Sequence, residues 1–279
     1  MAKGVVKPGK SRSAVVTGAG RGLGAAYARA FAARGASVVV HDAGVESDGS
    51  GGDPGVAQAV ADEIGGAACV ENLETEEGCR RTVELALERF GRIDVVIQNA
   101  GLNVWEELED AHRSWERMRR VNVDAPFHIT RAAFPVMKRQ GYGRFVFTTS
   151  GRAMAVDRTR PGLSAYVVGK SAHFGLMIVT AAEGEPHGIL ANAIAPAAAT
   201  RMLVRSVEPG ELEPEQVAPG VVFLASSACT FTGKVLEAAG GGFDVARWTS
   251  SEEVDFGREP IEPEVIAERW QEIEGVVQA

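Results

Sequence analysis

Short β-branched runs alternate with longer amphipathic stretches along most of the chain. The runs "AVVT" (14–17), "SVVVH" (37–41), "AACV" (67–70), "IDVVIQ" (93–98), "RFVFTT" (144–149), "LANAI" (190–194) and "KVLEA" (234–238) predict seven strands. Between them, the stretches near 22–34, 55–64, 76–90, 111–139, 164–184 and 214–226 predict helices, each long enough for a right-handed crossover. This alternation predicts an α/β protein with a doubly wound, mostly parallel seven-stranded sheet covered by helices on both faces. No linker interrupts the series, so residues 12–245 are read as one domain, with extensions at 1–11 and 246–279.

Two segments fall outside the repeat. "GVESDGSGGDPG" (44–55) is a Gly-rich loop too polar to pack, and "IEPEVIAERWQEIEGVVQA" (261–279) predicts a terminal helix added after the sheet, placed to cover a neighbouring subunit. Residues 196–213 form a long connection after the sixth strand, the kind of segment that acts as a lid. Open sheets of this type bind ligands at the carboxyl ends of their strands, so the chemistry is expected there.

After the first strand comes "TGAGRGLG" (17–24), then a helical run. Gly18, Gly22 and Gly24 allow a tight turn, close approach of a pyrophosphate to backbone amides, and close packing of helix on sheet. Asp42 closes the second strand; a carboxylate there accepts the hydroxyls of an adenosine ribose and repels a 2′-phosphate. Arg21 argues for that phosphate, but Ala43 supplies no second cation, so the expected cofactor is NAD. Within "SAYVVGK" (164–170), Tyr166 and Lys170 stand one helical turn apart, which places an ammonium beside a phenol and favours phenolate. Taken alone, the pair also fits a half-buried aromatic next to a solvated lysine.

Composition narrows the classes further. The net charge of −8 argues against a nucleic-acid partner. Cys69, Cys79 and Cys229 are odd in number and lack metal-ligand spacing, which suits a reducing compartment, and the five histidines are too scattered for a metal site. The N-terminus lacks an apolar signal core and no stretch reaches membrane-spanning length, so a cytoplasmic protein with no membrane partner is expected.

Over residues 12 to 245 the chain resembles the short-chain dehydrogenase/reductase family, whose domain is a Rossmann fold. "QNAG" (98–101) is similar to that family's N-N-A-G, with Gln98 in place of the first asparagine. "RVNVDAPF" (120–127) carries Asn122 at the family's helix-bending asparagine, and "FVFTTS" ends in Ser150 at its serine. Ser150 precedes Tyr166 by 16 residues, more than is usual, and Thr149 and Ser164 are neighbouring hydroxyls for the same place. "IAPAAATRM" (194–202) resembles the nicotinamide-side segment, and Asn72-Leu73 stand where the family places Asp-Val against adenine.

What the resemblance implies is specific. Tyr166 would be the acid/base, Lys170 would bond the nicotinamide ribose, Ser150 would polarise the substrate oxygen, and Asn122 would hold a water linking Lys170 to solvent. NAD would be held by Gly18, Arg21, Gly22, Leu23, Gly24, Asp42, Asn72 and Leu73, then by Asn99, Ala100, Gly101, Pro196, Thr200 and Met202, together with Tyr166 and Lys170. "VVVHDAG", "FGRIDVVIQNAG", "YGRFVFTTS" and "LEPEQVAPGVVFLAS" also resemble the hydroxyacyl-CoA dehydrogenase domain of peroxisomal multifunctional enzymes and bacterial relatives. The implied reaction interconverts a secondary alcohol and a ketone, on a 3-hydroxyacyl-CoA or hydroxysteroid, with Arg152, Arg158 and Arg160 available to CoA phosphates. Helices at 111–139 and 164–184 resemble those that pair subunits in the family, which implies a homodimer or homotetramer. A reading from another class is a catalytically silent dinucleotide-binding sensor or scaffold; a methyltransferase would leave Tyr166 and Lys170 unexplained.

Overall fold

Ser13–Thr17 forms β1, with all five residues buried, as befits a central strand packed on both faces. Even and odd positions part here: Ala14 and Val16 enter one core cluster and Val15 the other. The computed structural model describes residues 12–203 and 206–275. Seven more strands follow: β2 (Ser37–His41), β3 (Ala67–Cys69), β4 (Val95–Gln98), β5 (Gly143–Thr148), β6 (Ile189–Ala197), β7 (Val235–Ala239) and β8 (Gly242–Ala246). Their order is β3-β2-β1-β4-β5-β6-β7-β8, parallel except for the last pair.

The chain winds outward from β1 through β2 to β3, then returns to lay β4 on the other side of β1. That reversal opens a crevice beyond the carboxyl ends of β1 and β4, where the next loops diverge. One core, between the sheet and α1 (Gly22–Ala32), α2 (Gly55–Ile64) and α7 (Pro214–Leu224), includes Tyr27, Phe31, Val217 and Val221. The other lies against α3 (Glu76–Phe90), α5 (Ala125–Gln140) and α6 (Ser164–Gly184), around Phe145, Phe147, Ile129 and Met177.

Four features depart from the sequence expectations. The sheet has eight strands, because Gly240 and Gly241 adopt φ of 54° and 82° and turn the chain back as a tight hairpin. Strand β8 is largely exposed at the sheet edge, so it lacks the continuous apolar run of its neighbours. The helix expected over 111–139 is two, α4 (His112–Arg119) and α5, joined by a π-helical turn at Arg120–Asp124. That turn carries Asn122 inward, fully buried.

Counter to the expectation about membrane spans, α6 with the turn that extends it to His187 is long and apolar enough, by length and composition, to cross one. Its inward side chains, among them Phe174 and Met177, pack in the second core. The chain divides into two compact units at Ala246 and Arg247. The second holds α8 (Pro263–Glu268) and α9 (Trp270–Glu274) in place of the single helix expected over 261–279, of which 276–279 lie outside the described residues. The break falls at Arg269, whose guanidinium turns to Glu272 and to the ring of Phe256, 4.6 Å away.

Candidate active site

The turn from β1 into α1 is built to let something approach its backbone. Gly18 and Gly22 have φ of 63° and 51°, conformations that disfavour a side chain. A Cβ on Gly24 would fall 2.0 Å from the Gly18 carbonyl oxygen, so only glycine lets α1 start this close to β1. The turn is fastened to the end of β4. Thr17 Oγ1 accepts the N–H groups of Asn99 and Ala100, each at 3.0 Å, while Asn99 Nδ2 donates to the carbonyls of Thr17 and Gly18 at 2.9 and 3.1 Å.

Asp42 follows β2, and its carboxylate spans two loops. Oδ2 accepts the N–H of Gly20 at 2.9 Å and Oδ1 that of Gly44 at 2.8 Å. Asp42, with Gly18, Gly22 and Gly24, borders a cavity of about 590 Å³ that is also lined by Arg21, Leu23, Asn72, Leu73, Gly101, Thr200 and Met202. Asn72 is engaged locally: its Oδ1 accepts the Glu74 N–H at 2.9 Å, ahead of α3. The connection after β6 crosses the mouth, where Arg201 Nη1 lies 3.1 Å from Glu46 and Nη2 donates to the Val45 carbonyl at 2.8 Å. Arg21 reaches the same Glu46 carboxylate at 3.4 Å. Residues 204–205 of the expected lid lie outside the described residues.

A second cavity, of about 540 Å³, shares Leu23, Asn99, Gly101, Thr200 and Met202 with the first and adds Ser150, Tyr166, Lys170 and Pro196. Ser150 follows β5 and caps a short 3₁₀ turn, its Oγ accepting the Arg152 N–H at 3.2 Å. Of the three hydroxyls near this place, Ser150 is the one whose interaction lowers the pKa of the Tyr166 phenol. Thr149 Oγ1 donates instead to the Lys170 carbonyl at 2.8 Å, and Ser164 Oγ is buried without a hydrogen-bond partner among the described residues.

Lys170 is buried, with Nζ donating to the Thr148 carbonyl at 2.9 Å and lying 5.9 Å from the centre of the Tyr166 ring. A Cβ on Gly101 would stand 3.1 Å from that Nζ and 3.3 Å from Asn122 Oδ1, so the glycine lets the three groups meet. Asn122 Oδ1 accepts the Leu102 N–H at 2.8 Å and its Nδ2 donates to the Leu102 carbonyl at 3.0 Å. These bonds tie the π-helical turn to the segment after β4.

The electrostatics correct one expectation. Lys170 was expected to pull the phenol's pKa down, yet burial dominates and holds Tyr166 above its ordinary value. The opposing influences are the Ser150 hydrogen bond and the charge of Arg152. Lys170 itself is pushed down to about 8 by burial, and its Nζ is directed at a carbonyl. Helical spacing fixes which side of α6 the two residues share, but not where a long flexible side chain finds its acceptor.

The three arginines considered for CoA phosphates, Arg152, Arg158 and Arg160, all line the second cavity, where Arg158 Nη1 is held by Glu237 at 2.6 Å. No sequence motif marks Glu46, Arg201 or Trp105 as lining these cavities. Glu46 and Arg201 are 155 residues apart, and no local pattern links them. Thr17 was visible as the first residue of the Gly-rich motif, but its bonds to β4 were not.

Residues 12–211 match the family model described as short chain dehydrogenase. The chain is 37% identical over 273 residues to the peroxisomal multifunctional enzyme type 2 of Mus musculus; this covers 94% of the chain but 36% of that longer protein. It spans about a third of the length of the first such relatives. Among solved structures, a short chain dehydrogenase from Mycobacterium avium superposes with a TM-score of 0.81 at 33% identity, covering 94% of both chains. The 3-ketoacyl-(acyl-carrier-protein) reductase of Brucella melitensis, complexed with NADH, superposes with a TM-score of 0.73 at 28% identity over 82% of this chain and 97% of that one. With a family match across most of its first compact unit, the chain belongs to the short-chain dehydrogenase family.

Proposed function

We propose that this member of an oxidoreductase family uses NAD to interconvert a secondary alcohol and a ketone, with Ser150, Tyr166, Lys170 and Asn122 as the reaction site. The observation that carries this reading is the sharing of cavity walls: the Gly-rich cradle and the Ser150–Tyr166–Lys170 group open onto one another. The cradle fits a dinucleotide. Its glycines leave no Cβ in the way of a pyrophosphate, and the buried Asp42 carboxylate would accept the hydroxyls of a ribose beside it. Gly18, Gly22, Gly24, Asp42 and Asn99 would hold the adenosine and phosphate portion, with Lys170, Pro196, Thr200 and Met202 around the nicotinamide end. Once bound, NAD supplies the hydride acceptor.

The protein's own groups would handle the proton. Tyr166 takes it from the alcohol oxygen, and Ser150 donates a hydrogen bond that holds that oxygen as charge develops on it. The Ser150 bond and the Arg152 charge already favour phenolate, against burial. Lys170, pushed down to about 8, is able to exchange a proton near neutral pH. The NAD preference rests on Asp42, whose carboxylate opposes a 2′-phosphate, and on Glu46, which occupies Arg21.

The similarity to peroxisomal multifunctional enzymes supports 3-hydroxyacyl-CoA thioesters as substrates, with hydroxysteroids as the second class. Exposed Phe127 on α5 and Val168, Ile178 and Val179 on α6 support assembly into a homodimer or homotetramer through these helices. The test is a spectrophotometric panel of 3-hydroxyacyl-CoA thioesters, steroids, sugars and plain alcohols with NAD or NADP, run beside Y166F. Turnover with NAD that Y166F abolishes, while NAD still binds, is expected. NAD binding with no turnover of any alcohol or ketone in the wild type would replace this reading with a scaffold.

A further inference from the structure

The fold treats the three arginines between β5 and α6 differently. Arg158 is neutralised by Glu237 on β7, 2.6 Å away, and Arg160 is exposed. Arg152 is neither. Its backbone N–H donates to Ser150 Oγ at 3.2 Å, and its guanidinium carbon lies 5.8 Å from the centre of the Trp105 ring. Its Nη1 is buried yet has no hydrogen-bond partner among the described residues. Arg152 and Trp105 line the same cavity as Ser150, Tyr166 and Lys170.

A guanidinium keeps its charge and offers a rigid fork of donors, so a buried N–H without an acceptor is costly unless a ligand brings one. An aromatic ring beside it restricts its position and favours the cation without using its N–H groups. The phosphates of a CoA ester lie a long pantetheine arm away from the reacting carbon, whereas Arg152 is two residues from Ser150. The acceptor it is placed to meet therefore belongs to the part of the substrate beside the carbinol.

We propose that Arg152 is a specificity-determining residue that binds an acyl oxygen next to the reacting carbinol, so that the site selects hydroxyacyl compounds over secondary alcohols without an acyl group. This rests on the reading of the Ser150–Tyr166–Lys170 site as an alcohol site. A thioester carbonyl and a free carboxylate present the same kind of acceptor, the carboxylate adding a charge. A steroid alcohol with no oxygen beside the carbinol would leave the guanidinium as it is now.

The test separates binding from turnover. In Y166F and in Y166F/R152M, each with NAD, calorimetric titration measures binding of 3-hydroxybutyrate, of its N-acetylcysteamine thioester, which lacks phosphates, and of cyclohexanol. Circular dichroism checks folding, and R152K serves as the second variant if R152M fails to fold. About tenfold or greater loss of affinity for an acyl ligand, with cyclohexanol unchanged, is expected, and the acyl ligand that suffers the larger loss identifies carboxylate or thioester. In the Tyr166 wild-type background, R152M is expected to raise KM for that ligand. Equal acyl binding with and without Arg152, equal loss for all ligands, or no acyl binding to Y166F would overturn the proposal. An Arg152-dependent affinity in a protein that oxidises no alcohol would leave the acyl site standing and remove the alcohol dehydrogenase reading instead.

Discussion

His173 Nε2 lies 3.1 Å from the backbone carbonyl oxygen of Asn122 and joins the middle of α6 to the π-helical turn ahead of α5. A carbonyl only accepts, so Nε2 carries the proton and donates it. The imidazole is 1% exposed and stands edge-on to Phe147, at a centroid separation of 6.1 Å. Neutral histidine is thus part of the scaffold that holds the Asn122 side of the site.

The pH dependence of stability follows from that burial. His173 is pushed down to about 3, first by desolvation and then by the charge of Lys170. An unfolded chain takes up this proton near the ordinary value of 6.5, so its contribution to stability is complete above that pH and is lost as pH falls toward 3. Urea unfolding of wild type and H173Q between pH 7 and 4 checks this. The variant keeps a donor but cannot titrate, and its midpoint is expected to fall less steeply with acid.

Two glycines are expected to respond oppositely to the same substitution. G24A places a methyl 2.0 Å from a backbone carbonyl oxygen and must push α1 off β1. A loss of about 1–3 kcal/mol or more is expected, together with weakened NAD binding, by thermal melts with and without the cofactor. Gly175, exposed on α6, has nothing within 4 Å of its would-be Cβ. With the α6 face unpaired, as in I178D, G175A is expected to gain about 0.5–1 kcal/mol from helix propensity.

Cofactor choice should shift in two steps of different size. E46Q releases Arg21 and Arg201, both now paired with an exposed carboxylate, so a modest gain of about two- to fivefold in kcat/KM for NADP relative to NAD is expected, smaller at high salt. D42A removes a buried carboxylate that holds Gly20 and Gly44 as well as opposing a phosphate. It is expected to cost about tenfold or more in kcat/KM with NAD and to narrow the preference further. Initial rates with both nucleotides check each step.

The apolar residues left outside on α6 give a test of assembly. Ile178 and Val179 are 56% and 54% exposed, and neither lines either cavity. I178D is expected to lower the molar mass measured by light scattering after gel filtration. An unchanged mass would remove α6 from the interface.

The sheet and its crossovers were legible because the strands β1 to β7 carry short, mostly buried apolar runs and the helices between them apolar stripes, which are properties of a few consecutive residues. Strands β1 through β7 lie within a few residues of where those runs place them. Edge strand β8 escaped because an exposed strand needs no such run. The bend at Asn122 was legible only through the family resemblance, since the π-helical turn leaves the helical pattern on either side intact.

By itself the sequence determined the α/β class, the Gly-rich turn beneath α1, the placing of Asp42 at the end of a strand, and the side of α6 shared by Tyr166 and Lys170. These follow from local stereochemistry, which a residue and its near neighbours set. Only the tertiary structure decided that the two cavities share walls, that Glu46 joins Arg21 to Arg201, that Lys170 donates to the Thr148 carbonyl, and that Arg152 keeps a donor unmatched among the described residues while Arg158 Nη1 meets Glu237. Each of those depends on segments far apart in the chain meeting in a dry interior, where burial sets the energy of a charge and only the packed fold determines which partner it finds.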